Sequence, residues 1–179
     1  MRRLLAAALL IGPLLAPAAL FAGAETPPAD GRVFPAIEGG EIALSGPTLV
    51  VNTASMCGYT YQYAGLQELQ DAYAAKGLTV LAAPSDDFNQ EYGSNAEVKE
   101  FCAVNYGLTL PMTEIIHVRG EKAHPFYRWL KAAHGVEPSW NFNKALIDGE
   151  GRLVGFWGSG TKPMSADITG AVEKVLAGG

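Results

Sequence analysis

Leu49-Val50-Val51-Asn52-Thr53-Ala54-Ser55-Met56-Cys57-Gly58-Tyr59-Thr60 changes character halfway along. Leu49, Val50 and Val51 form a short apolar, largely β-branched run of the kind that fills a buried strand. The run breaks at Ser55-Met56-Cys57-Gly58, and a helical pattern follows from Thr60 or Tyr61. Cys57 is thereby predicted on the turn between a central strand and the first turn of a helix. Amide N–H groups at a helix start carry partial positive charge and favour thiolate over thiol. The thiolate is the nucleophilic form, so thiol chemistry can be done at such a turn. A buried, inert cysteine is the competing reading. The place after a strand, beside Gly58, favours the reactive one.

Outward from this stretch the pattern alternates strands and helices. Val33 to Leu44, with Gly39-Gly40 in its middle, predicts a short hairpin. After Cys57, Leu66, Leu69, Ala72 and Tyr73 recur at helical spacing, and Lys76-Gly77 supplies a basic last turn and a cap. Leu78 to Ala83 is a second apolar strand, closed by Pro84. Ser94-Asn95 with Glu97 starts a helix that shows Val98, Phe101, Cys102 and Tyr106 on one face and ends at Gly107. Ile115, Ile116 and Val118 predict a further strand, and Pro125 to Ala133 a helix. Ala145 to Ile147 and Leu153 to Phe156 flank Asp148-Gly149-Glu150-Gly151 as a hairpin. Ile168, Val172, Val175 and Leu176 mark a last helix. This order predicts an α/β fold, a mixed central β-sheet flanked by helices, in one domain over about residues 32–179.

The chain has 179 residues, 49% hydrophobic and 17% charged, with a net charge of −5. It has no basic run beyond Arg2-Arg3, which argues against nucleic acid as a partner. Residues 1–24 read as a cleavable signal peptide: Met1-Arg2-Arg3, an Ala/Leu-rich run to Leu20, then Ala22-Gly23-Ala24. Pro13 and Pro17 interrupt the apolar run, which disfavours the alternative of a retained anchor. A periplasmic or secreted protein follows, without stable membrane insertion after cleavage. Residues 25–31, with Pro27 and Pro28, read as a flexible lead-in. Cys57 and Cys102 both lie in the mature part, and in an oxidising compartment two cysteines suggest a disulfide, structural or catalytic. His117, His124 and His134 lack metal-ligand spacing, and neither a metal nor a resident cofactor is expected.

Three blocks resemble the glutathione peroxidase family. Val51 to Thr60 with Gln62-Tyr63 and Gly65-Leu66 is similar to the signature around that family's peroxidatic cysteine. Pro84-Ser85-Asp86-Asp87-Phe88, Gln90-Glu91 and Gly93-Ser94-Asn95 resemble the second block, and Trp140-Asn141-Phe142-Asn143-Lys144 the third. The likeness runs from about Val33 to Leu176. It implies a thioredoxin-like fold and thiol-dependent reduction of hydrogen peroxide and organic hydroperoxides, with a Gln, a Trp and an Asn hydrogen-bonded around the nucleophile. Carried over, the nucleophile is Cys57, the Trp is Trp140 and the Asn is Asn141, whose N–H groups can hold a thiolate or developing alkoxide without added charge.

The second block departs from the pattern. The family usually reads Asn-Gln-Phe where this chain has Asp86-Asp87-Phe88, which places Asp87 at the Gln. An ionised carboxylate beside Cys57 opposes thiolate formation, so Asp87 is expected to act as a proton-handling group. Tyr61 stands where the family commonly has Pro. Cys102 is the candidate resolving thiol, by likeness to cysteine-type members that use thioredoxin; simple packing on the helix face is the other reading. The expected co-substrates are a hydroperoxide and a thiol reductant, glutathione or a thioredoxin-like protein, acting on a monomer. The alternative from another class is a non-catalytic thioredoxin-fold binding protein whose two cysteines form a structural disulfide.

Overall fold

The six residues of β3 (Thr48–Thr53) are all buried, as expected of a strand covered on both faces. The computed structural model describes residues 25–178; the expected signal peptide lies outside them. β3 pairs in parallel with β4 (Thr79–Pro84) and antiparallel with β5 (Lys144–Ile147), and β5 pairs antiparallel with β6 (Leu153–Trp157). The sheet order is β4-β3-β5-β6, a mixed sheet as predicted. A separate antiparallel pair joins β1 (Val33–Pro35) to β2 (Glu41–Ala43), the hairpin expected around Gly39-Gly40.

Alternation along β3 divides the core between two layers. Leu49 and Val51 face a cluster with Tyr63, Leu66 and Leu69 of α1 (Gln62–Tyr73), Val98 and Cys102 of α2 (Asn95–Tyr106), and Ile168 and Val172 of α4 (Ala166–Ala177). Val50 faces the opposite cluster, with Phe34 of the hairpin and Phe126, Trp129 and Leu130 of α3 (Pro125–His134). The helix ends are set by local chemistry. Ser94 caps α2 by accepting the Glu97 N–H at 3.3 Å, and Gly107 leaves it in the left-handed region.

One expectation is corrected. Ile115 to Val118 is not a strand. The Ile115 N–H goes to Asn95 Oδ1, the Ile116 N–H to the Pro84 carbonyl and the Val118 N–H to the Asp87 carboxylate. With those donors committed to scattered acceptors, no ladder forms; only Met112 and Thr113 just before them make isolated bridges. The stretch leading into β1 is partly regular. It contains a 3-10 turn over Ala29–Arg32, with Gly31 buried so closely against the Phe126 backbone that an added Cβ would approach its nitrogen to 3.2 Å. No helix among the described residues is long and apolar enough to cross a membrane.

The strand directions place the site. The C-terminal ends of β3 and β4 and the N-terminal end of β5 lie at one edge of the sheet. The segments 54–61, 85–94 and 138–143 leave or enter there, the usual position for ligand chemistry in an open α/β sheet.

Candidate active site

Cys57 is buried in the turn after β3, and the Tyr59 N–H points at its sulfur at 3.5 Å. Its carbonyl accepts from Thr60 at 3.1 Å, so the turn tightens before α1 opens at Gln62. Cys57 therefore precedes the helix rather than sitting in its first turn, and the amide beside the sulfur comes from the turn itself. Cys57 and Cys102 are both free thiols, packed in the same apolar cluster.

Opposite the turn stands the 140–143 segment, organised by Asn52 of β3. The Asn52 side chain donates to the Trp140 carbonyl at 3.0 Å and accepts from the Asn143 N–H at 3.0 Å. Its backbone carbonyl accepts from the Phe142 N–H at 2.6 Å. These bonds hold Phe142 at φ 61, a left-handed conformation that costs a bulky residue of order 1–3 kcal/mol. Lys144, fully buried in β5, donates its ammonium to the Phe142 carbonyl at 2.7 Å. Burial pushes its pKa down to about 8.

Held in this way, Trp140 and Asn141 point to different surroundings. Trp140 is 41% exposed and packs its ring on Phe88, centroids 5.3 Å apart. Asn141 is fully buried. Its Nδ2 donates to Gln90 Oε1 at 3.0 Å, its carbonyl accepts from Ser159 Oγ at 2.6 Å, and its Oδ1 has no partner.

The residue that joins the two sides is Gln90. Its backbone carbonyl accepts the Met56 N–H at 2.9 Å while its side chain accepts from Asn141. Gln90 lies within the second block, in which the resemblance puts Asp87 at the glutamine's position. Both Asp87 oxygens are committed elsewhere: Oδ1 to His117 Nδ1 at 2.6 Å, Oδ2 to the N–H groups of Val118 and Arg119 at 2.6 and 3.1 Å. Burial alone would raise the Asp87 pKa, but these partners outweigh it and hold the carboxyl below its ordinary value. Asp87 thus anchors segment 117–119, and the amide that meets Asn141 belongs to Gln90. The signal that could have found it was the Gln90-Glu91 pair itself, the glutamine left once the spacing from Phe88 is not forced.

Cys102 lies on the inward face of α2, 2% exposed, and burial pushes its thiol up to about 11. Three large apolar side chains near the turn and on the 140–143 segment are exposed: Met56 at 53%, Tyr61 at 52% and Trp140 at 41%. Among the described residues no group of three or more His, Cys, Asp or Glu could hold a metal ion.

A cysteine on the turn after the central strand of a mixed α/β sheet defines a thioredoxin-like protein, and comparison with known proteins narrows the class. The glutathione peroxidase family model matches residues 43–131. Hydroperoxy fatty acid reductase gpx1 of Synechocystis sp. is 40% identical over 156 residues, 79% of this chain and 91% of that protein. A glutathione peroxidase of Lactococcus lactis subsp. cremoris is 43% identical over 133 residues, 72% of this chain and 83% of its own. The apo form of Trgpx superposes with a TM-score of 0.64 at 29% identity, covering 83% of this chain and 95% of that one. A thioredoxin-family thiol:disulfide interchange protein from Chlorobium tepidum shares the fold at a TM-score of 0.61 and 17% identity, over 85% and 97% of the two chains. The chain belongs to the glutathione peroxidase family. Its activity is thiol-dependent peroxide reduction.

Proposed function

We propose that Cys57 is the peroxidatic residue and that Trp140, Asn141 and Gln90 complete the site around it. The observation that carries this reading is Gln90, whose backbone holds the residue next to Cys57 while its side chain holds Asn141. The Cys57 thiolate attacks one peroxide oxygen, an S–O bond forms and the O–O bond breaks. The departing alkoxide or hydroxide takes a proton and leaves as alcohol or water. Donors fixed by packing, such as the Trp140 indole and the Asn141 amide, are suited to the charge that develops on that oxygen. Asp87 takes no part in this step.

The sulfenic acid left on Cys57 is then attacked by a thiol, a disulfide forms and water is released. Cys102 is the proposed internal thiol, with a thioredoxin-like protein restoring the pair; glutathione acting directly on Cys57 is the other donor. Neither route calls for a resident metal or cofactor. The buried position of Cys102 requires α2 to loosen before the sulfurs bond. The exposed apolar side chains of Met56, Tyr61 and Trp140 support organic hydroperoxides with hydrocarbon tails among the substrates. The name of the Synechocystis relative, a hydroperoxy fatty acid reductase, points the same way. We further propose export to the periplasm by the N-terminal signal, and a monomeric mature domain over residues 32–179. The likeness to curated peroxidases at 40% identity and more supports the catalytic reading over the non-catalytic alternative.

The test is intact mass of the reduced mature protein before and after one equivalent of hydrogen peroxide with rapid thiol blocking, beside Cys57→Ser and Cys102→Ser. Fast, Cys57-dependent conversion to an internal disulfide supports the two-cysteine cycle. A trapped sulfenic acid without a disulfide supports direct reduction by a small thiol. Oxidation no faster than that of free cysteine removes Cys57 from the reaction.

A further inference from the structure

The loop after β6, residues 158–163, reaches both walls of the site. It closes on itself where the Thr161 N–H donates to the Gly158 carbonyl at 3.2 Å. Its hold on α1 is double. The Ser159 carbonyl accepts from Gln62 Nε2 at 2.6 Å. The Pro163 ring lies against Gly65, where an added Cβ would stand 3.4 Å from its Cγ. Gln62 and Gly65 are one turn apart on the helix that follows Cys57, so they share a face. On the other wall, Ser159 Oγ donates to the Asn141 carbonyl at 2.6 Å and accepts from Asn143 Nδ2 at 3.0 Å.

The buried backbone groups of the 140–143 segment need partners, and each partner has a separate source. Asn52 takes the Trp140 carbonyl, the Phe142 N–H and the Asn143 N–H. Lys144 takes the Phe142 carbonyl. Neither of them bonds the Asn141 carbonyl; Ser159 Oγ does. The side chain of Asn141 has one bond of its own, from Nδ2 to Gln90, and its Oδ1 has no partner. A single side-chain bond leaves the direction of the amide to the backbone that carries it. That backbone is fixed at Asn141 itself by the Ser159 hydroxyl.

We infer that Ser159 is a positioning residue for the peroxide step: its hydroxyl aims the Asn141 amide, and its carbonyl ties the same loop to the helix that follows Cys57. The inference rests on reading Cys57 as the peroxidatic residue and Asn141 as a donor to the departing oxygen. Ser159 acts through Asn141 and makes no bond to the sulfur. Its loss therefore weakens a reaction that needs the amide and spares one that needs only the thiolate.

The chain has two cysteines, so a Cys102→Ser background leaves Cys57 as the one thiol. Two electrophiles are compared in it. Hydrogen peroxide expels hydroxide, which a donor must stabilise, whereas iodoacetamide expels iodide, which needs none. Ser159→Ala is expected to slow sulfenic acid formation about tenfold and to leave alkylation within about twofold from about pH 6 to about pH 9. Ser159→Thr, which keeps the hydroxyl, should restore the peroxide rate to within about threefold. With Asn141→Ala already in place, adding Ser159→Ala should cost less than about twofold more, because the two residues act as one unit. Equal slowing toward both electrophiles, no slowing by Ser159→Ala, or a full further loss on top of Asn141→Ala overturns the inference. If Cys57 with Ser159 intact meets peroxide no faster than free cysteine, the peroxidatic reading fails instead. The side-chain amide signals of Asn141 in NMR spectra then decide the role of Ser159. Signals displaced in Ser159→Ala and returned in Ser159→Thr support the aiming of the amide, and signals unmoved in Ser159→Ala refute it.

Discussion

Asn141 donates its side-chain amide to the Gln90 side-chain oxygen Oε1 at 3.0 Å, a bond between segments 51 residues apart that closes the site opposite Cys57. The Gln90 backbone carbonyl holds the Met56 N–H as well, so the side chain that meets Asn141 is presented from a loop tied to the Cys57 turn. Gln90→Ala is expected to slow oxidation of Cys57 by peroxide by about tenfold or more, since misplacing a reacting group costs rate steeply. Asp87→Asn is expected to leave that rate within about threefold across acidic to alkaline pH, since the Asp87 carboxylate works on segment 117–119. Stopped-flow measurement of both variants decides the matter. A strong pH-dependent loss in Asp87→Asn would restore Asp87 to the chemistry.

Asn52 is the residue on which the 140–143 segment depends. Asn52→Asp keeps size and the acceptor for Asn143 but turns the donor toward the Trp140 carbonyl into a second acceptor. Roughly 2–3 kcal/mol of stability should be lost, the scale for an unmatched buried polar pair. Trp140 should relax with it, so thermal melting and the Cys57 oxidation rate are expected to fall together. A variant that melts earlier yet reacts at the normal rate would separate Asn52 from the site.

Asp87 has a signature in acid. Its folded pKa lies below the ordinary carboxylate value, so the unfolded chain binds more protons as the pH drops through that range. Its contribution to stability is complete above the ordinary value and disappears as the pH falls through the lowered one. Asp87→Asn should lower stability at neutral pH by about 1–3 kcal/mol, by loss of the charge-assisted bonds, and flatten the decline in acid. Urea unfolding at a series of pH values measures both.

Lys144 has the opposite signature in base. Its folded pKa of about 8 lies below that of a free lysine, so the fold holds the ammonium at a cost wherever it is charged. Above pH 8 the folded state gives up the proton first and the unfolded state follows near the ordinary value of about 10.4. Stability should therefore rise with pH across that window, by up to about 3 kcal/mol. Lys144→Met should remove the rise. An identical slope in the variant would assign it to another group.

Regular elements were legible where side-chain period and caps agreed. The apolar run at Leu49, the Ser94 cap and the Gly107 stop each named a physical cause that survives in the fold. Ile115 to Val118 carried strand composition but no partner strand. Composition cannot reveal that Asn95 and Asp87 would take its amides from outside the sheet. The site divides in the same way. Cys57 stands beside a strand end, where short-range pattern locates it, whereas Trp140 and Asn141 are singled out only by the likeness to the family. Gln90 and Asp87 sit in a loop without a period, and only the fold determines which reaches Asn141 and which reaches His117. The clamp by Asn52 lay inside the stretch that set the fold, read there as one more strand residue.

Cys57 and Cys102 belong to one apolar cluster with Tyr63, Leu66 and Phe142. Sulfurs placed in this way cannot change partners privately, because a shift of either one disturbs side chains that hold α1 and α2 to the sheet. Redox state and heat resistance are then two readings of a single variable, and a melting curve alone, with no thiol reagent present, reports how much of a sample is oxidised.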